Sequence, residues 1–137
     1  IAAALLLVWL AWRTEAAHPD YLAWFNEAAG PHPERILEDS NLDWGQDYLR
    51  LTDTIEKERI RRCAVFFSGT VVLQRHLDDP RDELRPASSG DRSPGWYAIP
   101  EGVLAMDAEA RRGAYAWLDD YAFRRIGTSI RLYHVPR

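Results

Sequence analysis

Nine consecutive residues, Asp39-Ser40-Asn41-Leu42-Asp43-Trp44-Gly45-Gln46-Asp47, bring together three carboxylates, two amides, a hydroxyl and an indole. Asp, Asn and Gln side chains make directional hydrogen bonds to hydroxyls, and an aromatic ring covers the apolar face of a sugar. Asp39, Asn41, Asp43, Trp44, Gln46 and Asp47 are therefore the candidate ligand-binding residues. Helix capping competes for the same groups: Asp39, Ser40, Asn41 or Asp43 can cap a following helix, and Asp47 suits its first turn. Trp44 also begins an apolar helix face, so packing competes for it.

Other chemistries have less support. The alternation Asp39-x-Asn41-x-Asp43 is like the start of a calcium loop, but Trp44 stands at the turn glycine and Arg50 where a bidentate Glu is needed. His18 and His32 lack metal-site spacing to another ligand. No metal site is assigned, and a divalent cation stays an alternative for the loop only. Asp39 and Asp43 could act as a general acid/base pair if a cleft held them at the right separation. Ser68-Gly69 follows an apolar strand without a nominated base, and phosphate-loop, dinucleotide, Gly-x-Ser-x-Gly and paired-cysteine motifs are absent. No catalytic residue and no cofactor are assigned.

The loop needs elements to hold it. Ile36-Leu37-Glu38 reads as a strand before it, and a helix is expected from Trp44 to Arg59, with Trp44, Tyr48, Leu51 and Ile55 on one face and Leu49 widening it. A strand leading through a polar loop into a helix is where α/β proteins build sites. Ala64 to Phe67 reads as a central strand, with Cys63 beside it as a small buried hydrophobe. Val71 to Leu77 fits either a helix or a strand. Asp78 to Gly95 reads as a charged loop, Trp96 to Ile99 as a strand stopped by Pro100, and Val103 to Met106 as a short apolar piece. A helix over Ala110 to Tyr121 and a strand over Thr128 to Val135 complete the order. Trp24, Trp96 and Trp117 are expected in the core. The fold class is α/β, a small sheet of about four strands covered by helices.

The N-terminal run Ile1–Trp12 is apolar, carries Trp9 and Trp12, and leads into Arg13 and Glu15. A membrane span needs roughly 20 apolar residues, and aromatic residues gather at the membrane–water boundary. Residues 1–17 are accordingly expected to be the end of a truncated transmembrane helix, with a signal-peptide core or a buried amphipathic helix as the alternatives, and residues 18–137 one soluble domain whose size suits a single core. A short helix from His18 to Gly30 is expected between them, close to the membrane. The net charge of −4 and the lack of basic clusters among aromatics argue against a nucleic-acid surface.

The order of motifs carries a resemblance. An apolar helix, His18-Pro19-Asp20-Tyr21-Leu22 with Phe25-Asn26-Glu27 and Gly30, the Asp39–Asp47 string, Gly95-Trp96-Tyr97-Ala98-Ile99, and Ile126-Gly127-Thr128-Ser129-Ile130 with Tyr133 together resemble the C-terminal region of bacterial polytopic glycosyltransferases of the protein mannosyltransferase-like superfamily. The resemblance spans most of residues 18 to 135 and is most specific in the Asp39–Asp47 string. Pro100 stands where relatives carry serine, and Ala29 where a second glycine is common. The resemblance implies an enzyme of the cell membrane that uses a lipid-phosphate-linked sugar donor, with this segment as an extracytoplasmic accessory domain and the catalytic centre upstream. It implies as partners the membrane, the transmembrane part of the same protein and a lipid-linked sugar or glycan acceptor. A membrane-anchored carbohydrate-binding or interaction module and a metal-assisted enzyme built on the loop are the alternatives.

Overall fold

The computed structural model describes residues 1–21, 24, 30, 45–66, 77, 81–109 and 113–137. Among them the chain forms α1 (Ala2–Ala16), α2 (Tyr48–Glu58), β1 (Arg62–Val65), β2 (Glu83–Pro86), β3 (Gly95–Pro100), α3 (Glu101–Glu109), a 3-10 turn at Ala116–Asp120, β4 (Phe123–Ile126) and β5 (Ile130–Val135). The strands make one sheet in the order β2-β1-β3-β5-β4. β1 is parallel to both β2 and β3, while β5 is antiparallel to β3 and β4. The class is α/β, as the alternation of apolar strands and amphipathic helices implied.

α2 forms because Tyr48, Leu51, Thr52 and Ile55 recur on one face, and all four are buried. Leu49, expected on that stripe, is instead 55% exposed, and Thr52 takes the buried place with its hydroxyl bonded to Leu49 O at 2.8 Å. The helix ends at Arg59, which takes up left-handed backbone (φ 55°) as the amide of Ile60 bonds back to Ile55 O at 2.9 Å.

Side chains alternate across the pleat, so each strand feeds two cores. Cys63, Val65, Ala98, Ile130 and Leu132 pack under α2 on one face. Ala64, Tyr97, Ile99, Tyr133 and Val135 pack with Tyr115 and Leu118 on the other. Burial in the first core pushes the Cys63 thiol up to about 12, which leaves it an inert small hydrophobe.

Several elements differ from the sequence reading. The described residues carry five strands, in keeping with a small sheet of about four, but one of them, Glu83–Pro86, lies inside the stretch read as a charged loop and pairs with β1. As an edge strand β2 needs only Leu84 to pack inward, and its terminal Pro86 costs no interior ladder bond. Gly127 (φ 58°) turns the chain between β4 and β5, so the C-terminal strand is the second half of a hairpin. The apolar piece Val103–Met106 lies within α3. Where a helix was expected over Ala110 to Tyr121, the described part is a single 3-10 turn. Trp24 is 40% exposed rather than in the core. Ile36–Glu38, Phe67, Ser68-Gly69 and Val71–His76 lie outside the described residues, as does most of the expected 18–30 helix.

α1 stands apart from this scheme. None of its residues is buried, and Leu5, Leu6, Leu7, Val8, Trp9 and Trp12 are all exposed. At 15 residues it is about 22 Å long, and no helix among the described residues is long and apolar enough to cross a membrane.

Candidate functional site

The three parallel strands point their C-terminal ends the same way, and α/β sheets commonly place ligands outside that edge. The start of α2, the β4–β5 turn and the start of α3 meet there. α2 runs back along β1, so its first turn lies at this end, where Tyr48 Oη donates to Phe66 O at 2.6 Å. The β4–β5 turn arrives because Ile130 pairs with Pro100 at the end of β3. α3 starts directly after β3, and the Glu101 amide donates to Ser129 O at 2.7 Å.

Asp47 is at the centre. It precedes α2 without capping it through its side chain. Its carboxylate reaches instead to the hairpin turn: Oδ2 accepts from the amides of Thr128 and Ser129, both at 2.8 Å, from Ser129 Oγ at 2.9 Å and from Thr128 Oγ1 at 3.3 Å. Oδ1 accepts from Arg50 Nη1 at 2.7 Å. The residue is 0% exposed. Gly127 makes the approach possible, since a Cβ there would stand 1.8 Å from Asp47 Oδ1 and the backbone is already left-handed.

Arg50 Nη1 also donates to Asp20 Oδ1 at 2.7 Å. Its basicity is raised, first by the Asp20 hydrogen bond, against some desolvation, and then by the charge of Asp47. The guanidinium thus joins the turn that follows α1 to the first turn of α2.

A second buried carboxylate lies behind the hairpin. Glu101, 3% exposed, takes Arg131 Nη2 on Oε2 at 2.7 Å and has Arg125 Nη2 3.1 Å from Oε1. Burial works against the charge of Arg131, but hydrogen bonding and the charge of Glu101 outweigh it and raise its basicity. Burial raises the Tyr133 phenol.

Of the candidate residues, the structure brings Gln46 and Asp47 to this end, Gln46 half-buried beside Asp47 in the chain. Asp39, Asn41, Asp43 and Trp44 lie outside the described residues. The donors around Asp47 are N–H, O–H and guanidinium groups, a cradle for an anion that rejects a cation. Among the described residues no group of three or more His, Cys, Asp and Glu could hold a metal ion. His18 contacts the Tyr21 hydroxyl at 3.2 Å on the surface.

Sequence reasoning missed Glu101, Arg131 and the use made of Thr128 and Ser129. The signal for the last two was in the string Ile126-Gly127-Thr128-Ser129-Ile130: a glycine able to turn left-handed, followed by two hydroxyl residues, is the pattern of a turn that binds an oxyanion. Glu101 and Arg131 are 30 positions apart, and no local pattern links them.

No protein-family model, curated protein or solved structure matches this chain.

Proposed function

We propose that this chain is a membrane-anchored extracytoplasmic accessory domain of an integral-membrane glycosyltransferase that takes its sugar from a lipid-phosphate-linked donor, and that the transfer itself takes place upstream of this segment. The observation that carries the anchoring half is α1. A helix apolar on every side must find either a protein interior or a lipid interior, and α1 buries no residue in the domain it precedes. Trp9, Trp12 and Arg13 sit towards its domain-side end, with the Arg13 guanidinium 5.7 Å from the Trp12 ring centre, in the manner of an interfacial belt. The glycosyltransferase half is supported by the motif order, above all the Asp39–Asp47 string.

In this reading Asp47 fastens the start of α2 to the β4–β5 turn, and Asp39, Asn41, Asp43, Trp44 and Gln46 are the residues that the motif assigns to the lipid-linked sugar or the glycan acceptor. Deleting residues 18–137 from the intact membrane protein tests the reading, with transfer from a polyprenyl-phosphate sugar as the readout. Transfer should fall by at least an order of magnitude while the membrane part still inserts. Asp43→Asn or Asn41→Ala should lower transfer more than they lower the melting temperature. Full transfer by the deleted protein, or a parent protein with a single hydrophobic span, would overturn it.

A further inference from the structure

The end of α1 and the Asp47 end of the sheet are tied together. After Ala16 the chain turns compactly, with the Ala17 amide on Arg13 O at 3.1 Å and the Asp20 amide on Ala17 O at 2.7 Å, so Asp20 stays close to the helix end. Asp20 then pairs with Arg50 in the first turn of α2, and Arg50 pairs with Asp47. Leu49, next to Arg50, is exposed at this same end, although it is a large apolar residue on the first turn of an otherwise well-sorted amphipathic helix. At the other end of α2 the exposed residues are Lys57, Glu58 and Arg59.

We propose that the end of the sheet carrying Asp47, Leu49 and the Gly127–Ser129 turn faces a lipid bilayer surface, oriented by the Asp20–Arg50 pair that joins the exit of α1 to the start of α2. This rests on the reading of α1 as the membrane anchor. The consequence is directional: the C-terminal edge of the parallel strands, with Asp47 and the first turn of α2, lies over the bilayer where a lipid-linked substrate presents its headgroup. The Glu58–Arg124 end points away from it.

Two labels on one helix test this. Leu49 and Lys57 are eight residues apart on α2, about 12 Å along its axis. Leu49→Cys and Lys57→Cys, each labelled with bimane, are examined in the 137-residue chain bound to phosphatidylcholine–phosphatidylglycerol vesicles with and without brominated acyl chains. The buried Cys63, its thiol pushed up to about 12, does not compete for the label. The label at 49 should be quenched at least about twofold more than the label at 57, given that separation. Asp20→Asn, which leaves the Asp47 contacts in place, should shrink the difference without loss of vesicle binding. Binding with equal or reversed quenching, or a difference indifferent to Asp20→Asn, overturns the orientation and leaves the anchor standing. Failure to bind vesicles overturns the anchor, and the orientation with it.

Discussion

The two ends of the sheet use charge differently. At the C-terminal edge of β1 and β3, the Asp47 carboxylate gathers two amides, two hydroxyls and a guanidinium, and is sealed from water. At the opposite edge Arg124 holds Glu58 through both guanidinium nitrogens at 2.6 and 2.9 Å, and Arg62 approaches Glu83 at 3.4 Å, with all four side chains well exposed. A buried carboxylate holding its donors is costly to remove, because each donor then lacks a partner away from water. An exposed pair exchanges its partner for water at little cost. The Asp47 end is therefore built to hold a shape, and the Glu58 end is a solvated face.

Substitutions can break that contrast in graded steps. Asp47→Ala should cost about 3–5 kcal/mol, the range for stripping one partner from a buried charged network, read from the midpoint of denaturant unfolding. Gly127→Ala should cost about 2–3 kcal/mol, through overpacking against Asp47 on a left-handed backbone. A loss below half a kcal/mol would show that the turn has room to spare.

A smaller effect belongs to Asp91, on the connection that returns from β2 to β3. The Ser93 hydroxyl and amide, then Arg85, hold its carboxyl down from 3.8 to about 2. A group depressed in the folded state contributes stability above its ordinary value and loses it as the pH falls through the folded one. The melting temperature should therefore drop between pH values of about 4 and 2, and Asp91→Asn should flatten part of that slope, by at most about 1 kcal/mol after solvent screening. The smallest effect is expected at the solvated end. The Arg124 hydrogen bonds, against some desolvation and helped by its charge, hold the Glu58 carboxyl below its usual range, yet Glu58→Gln should cost less than about 1 kcal/mol and less still at high salt. A loss matching that of Asp47→Ala would erase the distinction between the ends.

How much of this was legible in the sequence follows from how local each signal is. Tyr48, Leu51 and Ile55 reveal α2 because a helix stripe repeats within one segment. Trp96 to Ile99 and Ala64-Val65 reveal β3 and β1 because a strand covered on both faces is apolar throughout. β2 was hidden, since an edge strand reading Glu-Leu-Arg-Pro carries one partly buried apolar side chain and no alternation to detect. The hairpin was hidden because a single turn glycine inside a run of mixed polarity looks like a strand interruption. At the site, the Asp39–Asp47 string announced polar chemistry, but capping, ligand contact and tertiary fastening all use the same residue types. The decision for Asp47 rests on donors at Thr128 and Ser129, 81 and 82 positions away, which no spacing rule connects.

A double-mutant cycle on Asp47 and Ser129 tests most directly whether Asp47 is a fastener. Asp47→Ala, Ser129→Ala and the double variant are compared by denaturant unfolding, and a coupling energy of about 1–3 kcal/mol is expected for partners in one buried network. Additive losses, with a coupling indistinguishable from zero, would mean that the Asp47 carboxylate does not hold the β4–β5 turn.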